Sequence, residues 1–193
     1  MPPLILASAS PRRQQLLARI GVTADAIIPA DIDETPHKAE LPRIYARRMA
    51  SEKAAVIAAQ HPESAVLSGD TVVAAGRRVL PKAEKEAEAR ECLSVISGRR
   101  HVVLSAVTLM LPGGRALHRL SESVVAFKRL HADEVEAYIA SGEWQGKAGG
   151  YAIQGSAEAL IRSIAGSYSG IMGLPLYETR SMLLSAGLLT PRP

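Results

Sequence analysis

The chain has 193 residues, of which 47% are hydrophobic and 22% charged, a length and balance that can enclose one core and that exclude global disorder. Its 23 basic and 19 acidic side chains leave a formal charge of +4, but the arginines are scattered in pairs (Arg12-Arg13, Arg47-Arg48, Arg77-Arg78, Arg99-Arg100) and aromatic residues make up only 4%. Grooves for single-stranded nucleic acid combine charge with stacking platforms, so small phosphate anions are the expected partners and a stable nucleic-acid complex is not.

The first element is a short buried strand over residues 3 to 8, carried by Leu4, Ile5 and Leu6. This run is far below the roughly 18 apolar residues of a membrane span and lacks the basic flank of a signal peptide, so no membrane partner and a cytoplasmic location are expected. A helix follows, with Ser10 as its N-cap, Pro11 in its first position, Leu16, Leu17 and Ile20 on one face and Gly21 as its stop. A strand over Ala24 to Ala30 leads into the acidic loop Asp31 to Pro36, and Pro42 to Gln60 forms a long amphipathic helix. Ala65 to Ser68 is a strand that ends at Gly69-Asp70-Thr71, and Val72 to Leu80 is a hairpin turning at Gly76-Arg77. Residues 83 to 97, which include the lone and partly buried Cys92, form a helix closed by Gly98; one cysteine permits neither an internal disulfide nor a cysteine-based metal cluster. Two antiparallel strands, 101 to 110 and 115 to 127, are joined at Pro112-Gly113-Gly114. A helix over 132 to 141, a strand over 160 to 164 and a helix over 176 to 186 complete a single α/β domain spanning 1–193 with a mixed sheet.

Ser8-Ala9-Ser10-Pro11-Arg12-Arg13 places hydroxyls, unpaired backbone amides and two guanidiniums where a strand gives way to a helix N-terminus, which suits an anion. The same residues also fit a capped helix with two solvated arginines. Asp70 after a hydrophobic strand is a candidate reactive carboxylate or a turn residue. Asp31-Ile32-Asp33-Glu34 could ligate a hard cation or be a solvated loop, and Lys53 and Lys82 would by themselves be read as surface lysines. Two glycine-rich stretches, Lys147 to Gly155 and Gly166 to Pro175, allow close backbone approach, and Gln154 carries both donor and acceptor groups able to read a base edge. Neither a P-loop, a dinucleotide fingerprint, a nucleophile elbow nor a zinc spacing of the five histidines occurs.

Taken in order, Leu6 to Arg13, Asp33-Glu34, Ser51-Glu52-Lys53-Ala54, Gly69 to Val73, Ser97 to His101, Gly150 to Gly155 and Gly166 through Pro175 resemble the Maf family of nucleoside triphosphate pyrophosphatases over nearly the whole chain. The resemblance implies an α/β fold similar to inosine triphosphate pyrophosphatases, with a mixed twisted sheet flanked by helices and two lobes around a cleft. It implies hydrolysis of a nucleoside triphosphate to the monophosphate and pyrophosphate with a divalent metal cation, Mg2+ or Mn2+, and a homodimer. Carried onto this sequence, Arg13, Lys53 and Lys82 would bind the triphosphate, Ser8 would hold phosphate oxygens, Glu34 with Asp70 would hold the metal, and Asp70 would be the general base. Arg12, Thr71 and Gln154 match the specificity positions of the dTTP/UTP branch. One departure stands out: the family has lysine followed by proline around Lys82, whereas here Pro81 precedes it.

Two alternatives accompany this reading. The 7-methylguanosine triphosphate branch keeps the reaction but carries tryptophan where Arg12 stands. A nucleotide-binding regulator of septum formation and cell division would bind without turning over.

Overall fold

The computed structural model describes residues 1–190. Within them the order is β1 (Leu4–Ala7), α1 (Pro11–Arg19), β2 (Ala26–Ile27), α2 (Pro42–Gln60), β3 (Ala65–Ala75), β4 (Arg78–Leu80), β5 (Lys82–Ala83), α3 (Glu86–Ile96), β6 (Arg100–Met110), β7 (Ala116–Phe127), α4 (Ala132–Ser141), β8 (Lys147–Ala148), a 3-10 turn (Ser156–Leu160), β9 (Ile161–Ala165), α5 (Tyr168–Met172) and α6 (Leu176–Ser185). The main sheet runs β2-β1-β3-β6-β7-β9, with β4 also paired to β3, while β5 and β8 form a separate ribbon. β1 is parallel to β2 and β3 and the other pairings are antiparallel, so the sheet is mixed, as expected.

β1 is apolar throughout because both of its faces are covered. Leu4 and Leu6 join the main core with Leu16 and Leu17 of α1, while Ile5 and Ala7 face Ala54 and Ile57 of α2. The small residues Ala46, Ala50 and Ala54 let α2 lie close against β3 and β6, where Val72, Leu104 and Ala106 meet it. Among the described residues no helix is long and apolar enough to cross a membrane.

Several boundaries differ from the sequence reading. The strand from Ala65 does not end at Gly69-Asp70-Thr71 but runs on to Ala75, because β6 pairs with it without interruption from Val66 to Ala74. The strand expected over 24 to 30 shrinks to Ala26–Ile27, its only stretch in register with β1. The helix expected from 83 starts at Glu86, because Lys82 and Ala83 pair with β8 and Glu88 Oε2 accepts the backbone N–H groups of Glu84 and Lys85. Ser10 precedes α1, yet its side chain makes no capping bond; its backbone carbonyl receives the Arg13 and Gln14 N–H groups instead. Gly98 does adopt the left-handed conformation, φ 68°, that stops α3. Cys92 is fully rather than partly buried, and that burial pushes its thiol up to about 11.

Candidate active site

The cleft has a topological origin. β1 pairs with β3 only over Ala65 to Ser68, and β4 only over Val73 to Ala75. Between them Gly69 to Val72 keep β6 on one edge and leave the other open to the N-terminal turn of α1. Because side chains alternate along a strand, this short stretch serves two sides at once: Asp70 projects toward α2, and Thr71 toward α1 and the segment around Gly173. A cavity of about 450 Å³ opens there, lined by Ser8, Arg12, Arg13, Glu34, Lys53, Asp70, Thr71, Lys82 and Gln154. The structure thus brings these nine residues, all singled out from the sequence, to one place, whereas Asp31 and Asp33 of the acidic loop do not line it.

Arg13 is held on the α1 side by three acceptors. Its Nε donates to Gly173 O at 2.8 Å, Nη1 to Ser8 Oγ at 2.9 Å and Nη2 to Thr71 Oγ1 at 3.3 Å. A guanidinium has five N–H groups in a rigid fork, so one on each terminal nitrogen remains for a ligand. Gly69 makes room for this group: a Cβ there would lie 3.4 Å from Arg13 Nε. Burial lowers the Arg13 pKa from its ordinary value, and the charge of Asp70 resists the shift. Arg12 donates to Met172 O at 3.3 Å, so both arginines rest on carbonyls at the end of α5.

Across the cleft, Lys53 of α2 is buried and its Nζ joins two carboxylates, Asp70 Oδ1 at 2.7 Å and Glu34 Oε1 at 2.8 Å. Lys82, exposed, reaches Glu34 Oε2 at 2.7 Å, so Pro81 before it does not keep it from the site. Burial alone would raise the Glu34 carboxyl, but the hydrogen bonds and charges of Lys53 and Lys82 outweigh it and hold the group at about 2. The acidic loop carrying Glu34 has no regular structure and is tied down by α2. Tyr45 Oη donates to Glu34 O at 2.7 Å, and Arg48 Nη2 to Thr35 O at 3.1 Å.

Sequence reasoning missed these two positioning residues, since each reads as an ordinary face residue of an amphipathic helix. It also passed over Lys147 and Tyr151, which line the cleft although both lie in the glycine-rich stretch that drew attention to Gln154. The two glycine-rich stretches are not irregular loops throughout: the first contains β8 and the second α5. Gly149 is indispensable to the first, with φ 69° and a would-be Cβ 2.7 Å from Val73 Cγ1.

A divalent cation fits this donor set. Asp70 and Glu34 supply hard carboxylate oxygens converging within the reach of one ammonium group, and Lys53 engages only Oδ1 of Asp70. Among the described residues no group of three or more His, Cys, Asp or Glu side chains could hold a metal by itself. Magnesium is commonly held by one or two carboxylates with phosphate oxygens and waters completing its shell, which is the arrangement that two acids beside an anion-binding cleft allow.

Five cations (Arg12, Arg13, Lys53, Lys82 and Lys147) against two carboxylates (Glu34 and Asp70) line the cavity, and a mixed sheet carries it; together they define an α/β protein with a cleft for a polyanion. The architecture matches that of a HAM1 protein from Coxiella burnetii at a TM-score of 0.52, with 16% identity over 96% of this chain and 100% of that one. The chain belongs to the Maf family: the model described as Maf-like protein matches residues 3–186. Relatives named dTTP/UTP pyrophosphatase include those of Zymomonas mobilis, 59% identical over 95% of this chain and 91% of the relative, and Novosphingobium aromaticivorans, 58% identical over 97% and 93%. The protein of that name from Caulobacter vibrioides is 56% identical over 96% of both chains.

Proposed function

We propose that this protein hydrolyses dTTP and UTP to the nucleoside monophosphate and pyrophosphate with the help of a divalent cation, Mg2+ or Mn2+. The observation that carries the reading is the convergence, in one cleft, of a braced arginine with two spare N–H groups and a Lys53-linked pair of carboxylates. The relatives' shared name supplies the substrate pair.

A triphosphate entering the cleft meets a net positive field, which favours its capture. The fork of Arg13 binds phosphate oxygens bidentately, Ser8 and the start of α1 face the same region, and Lys82 and Lys53 add charge as the α–β phosphoanhydride breaks. Asp70 receives the proton of the attacking water, whose oxygen becomes part of the monophosphate while pyrophosphate leaves. Glu34 and Asp70 would hold the cation, which when bound supplies neutralisation of phosphate charge and a more acidic water. Arg12, Thr71 and Gln154 select the base. The same reading takes residues 1–193 as one catalytic domain, working as a homodimer in the cytoplasm.

The test is product analysis. With dTTP or UTP and Mg2+ or Mn2+, monophosphate and pyrophosphate are expected in equal amounts, and Asp70→Asn is expected to lower kcat by at least about a hundredfold, as removal of a general base does, with the fold intact. Release of orthophosphate, preference for 7-methylguanosine triphosphate, tight nucleotide binding with no turnover, or full activity of Asp70→Asn would each overturn part of this assignment.

A further inference from the structure

Ser105 sits in β6, directly across from Thr71 in the strand register. It is buried, is not among the cleft-lining residues, and belongs to no recognisable motif. Its hydroxyl donates to Gly170 O and lies 3.2 Å from Thr71 Oγ1, which itself accepts Arg13 Nη2.

The chemistry of the two ends sets the direction of this chain. A guanidinium can only donate and a carbonyl can only accept, and each hydroxyl between them has one proton. Ser105 spends its proton on Gly170 O, so toward Thr71 it is an acceptor. Thr71 therefore donates to Ser105, for which the alternative acceptor is the more distant Gly173 O at 3.4 Å. The order is Arg13 to Thr71 to Ser105 to Gly170, with every proton assigned. Two consequences follow. Arg13 is anchored through the chain to β6 and α5 as well as by its own bonds, and α5 is the element whose terminal carbonyls receive both arginines. Thr71, its only proton committed, offers the cleft a lone pair, so of the Arg13–Thr71 pair only Arg13 is left to donate to phosphate.

We infer that Ser105 is a positioning residue for the substrate site, fixing through Thr71 the orientation of the Arg13 fork that receives the triphosphate. The inference rests on the nucleotide reading of the cleft.

The test is a double-mutant cycle on KM for dTTP. Ser105→Ala is expected to raise KM about fivefold, the equivalent of one hydrogen bond, with kcat within about twofold of the parent. In a Thr71→Val background the same substitution is expected to change KM by less than about twofold, because the route from Ser105 to Arg13 is already cut. Equal factors in both backgrounds, or an unchanged KM with only a lower melting temperature, would overturn the inference. Ser105→Cys, which retains a weak donor and acceptor, covers the case in which Ser105→Ala does not fold; its KM is expected between the two, and a parental KM counts against the role. Thr108→Val removes another buried hydroxyl of β6, one bonded to His118, and should leave KM unchanged. A rise matching that of Ser105→Ala would mean that loosening β6 anywhere suffices, which refutes a specific chain.

Calorimetric binding of inorganic pyrophosphate separates this inference from the functional reading beneath it. Pyrophosphate binding that weakens in Ser105→Ala, with no triphosphate hydrolysed by the parent, would remove the pyrophosphatase and keep the chain. Normal dTTP hydrolysis with KM indifferent to Ser105 would do the reverse.

Discussion

Replacing Lys53 with methionine probes stability and activity through one atom. Methionine preserves most of the buried stem of the lysine and deletes the ammonium that joins Asp70 Oδ1 and Glu34 Oε1. The two carboxylates do not suffer equally. The Asp70 side chain is 7% exposed, so it is left as a buried charge without its partner, a loss of about 3–5 kcal/mol. The Glu34 side chain is 38% exposed and keeps Lys82, so its share is below about 1 kcal/mol. The sum is dominated by Asp70, and for a chain of this size it lowers Tm by roughly 6–20 °C. Urea denaturation of the parent and Lys53→Met gives the difference directly. Adding Asp70→Asn to Lys53→Met removes the stranded charge and is expected to recover most of the lost stability while kcat is at least about a hundredfold below that of the parent. A loss below about 1 kcal/mol, or no recovery in the double variant, would refute the account of Lys53 as the counter-charge of a buried carboxylate.

Acid should weaken the fold in two separable steps. Burial lowers the His101 imidazole from 6.5 to about 4, so the native state excludes a proton that the unfolded chain takes up below its own pKa. The contribution is complete above pH 6.5 and fades as pH falls toward 4, amounting to about 3 kcal/mol; His101→Gln should flatten the stability profile across that window, and an unchanged profile would remove the histidine as its cause. Glu34, held down at about 2, gives stability that is present above the ordinary carboxylate range and is lost below it, so Glu34→Gln should alter the profile only under about pH 4.5. Gly149→Ala forces a side chain onto a backbone at φ 69° and into Val73, and should cost about 2–4 kcal/mol in denaturant titration. At Gly69, where a Cβ would touch Arg13 Nε at 3.4 Å, alanine should retain activity and valine should raise KM; equal behaviour of the two would argue against crowding of the guanidinium.

The local signals proved sound where one element's own sequence settles the matter. The all-apolar β1, Pro11 and Pro42 at helix starts, the turn at Gly76-Arg77 and the left-handed Gly98 are written in short stretches, and the structure has them in place. The misreading at Gly69-Asp70-Thr71 has a physical cause. Those residues have turn-like composition, yet a continuous ladder to β6 keeps them extended, and nothing within five residues of Asp70 announces that partner. The β5–β8 ribbon, which joins Lys82-Ala83 to Lys147-Ala148, escaped for the same reason: two residues carry no period.

By itself the sequence determined which chemistry was available: cations and two hard carboxylates in an order resembling one family, and neither a P-loop nor a zinc spacing. Only the tertiary structure decided how those groups act on one another. It placed Lys53 between Asp70 and Glu34, gave the acidic loop its hold through Tyr45 and Arg48, and set Ser105 behind Thr71. These relations join residues from 11 to 34 positions apart, some from strands whose register a local window does not contain. Propensity and spacing act along the chain, whereas hydrogen bonds and ion pairs act across 3 Å of space, and only folding makes the two distances meet.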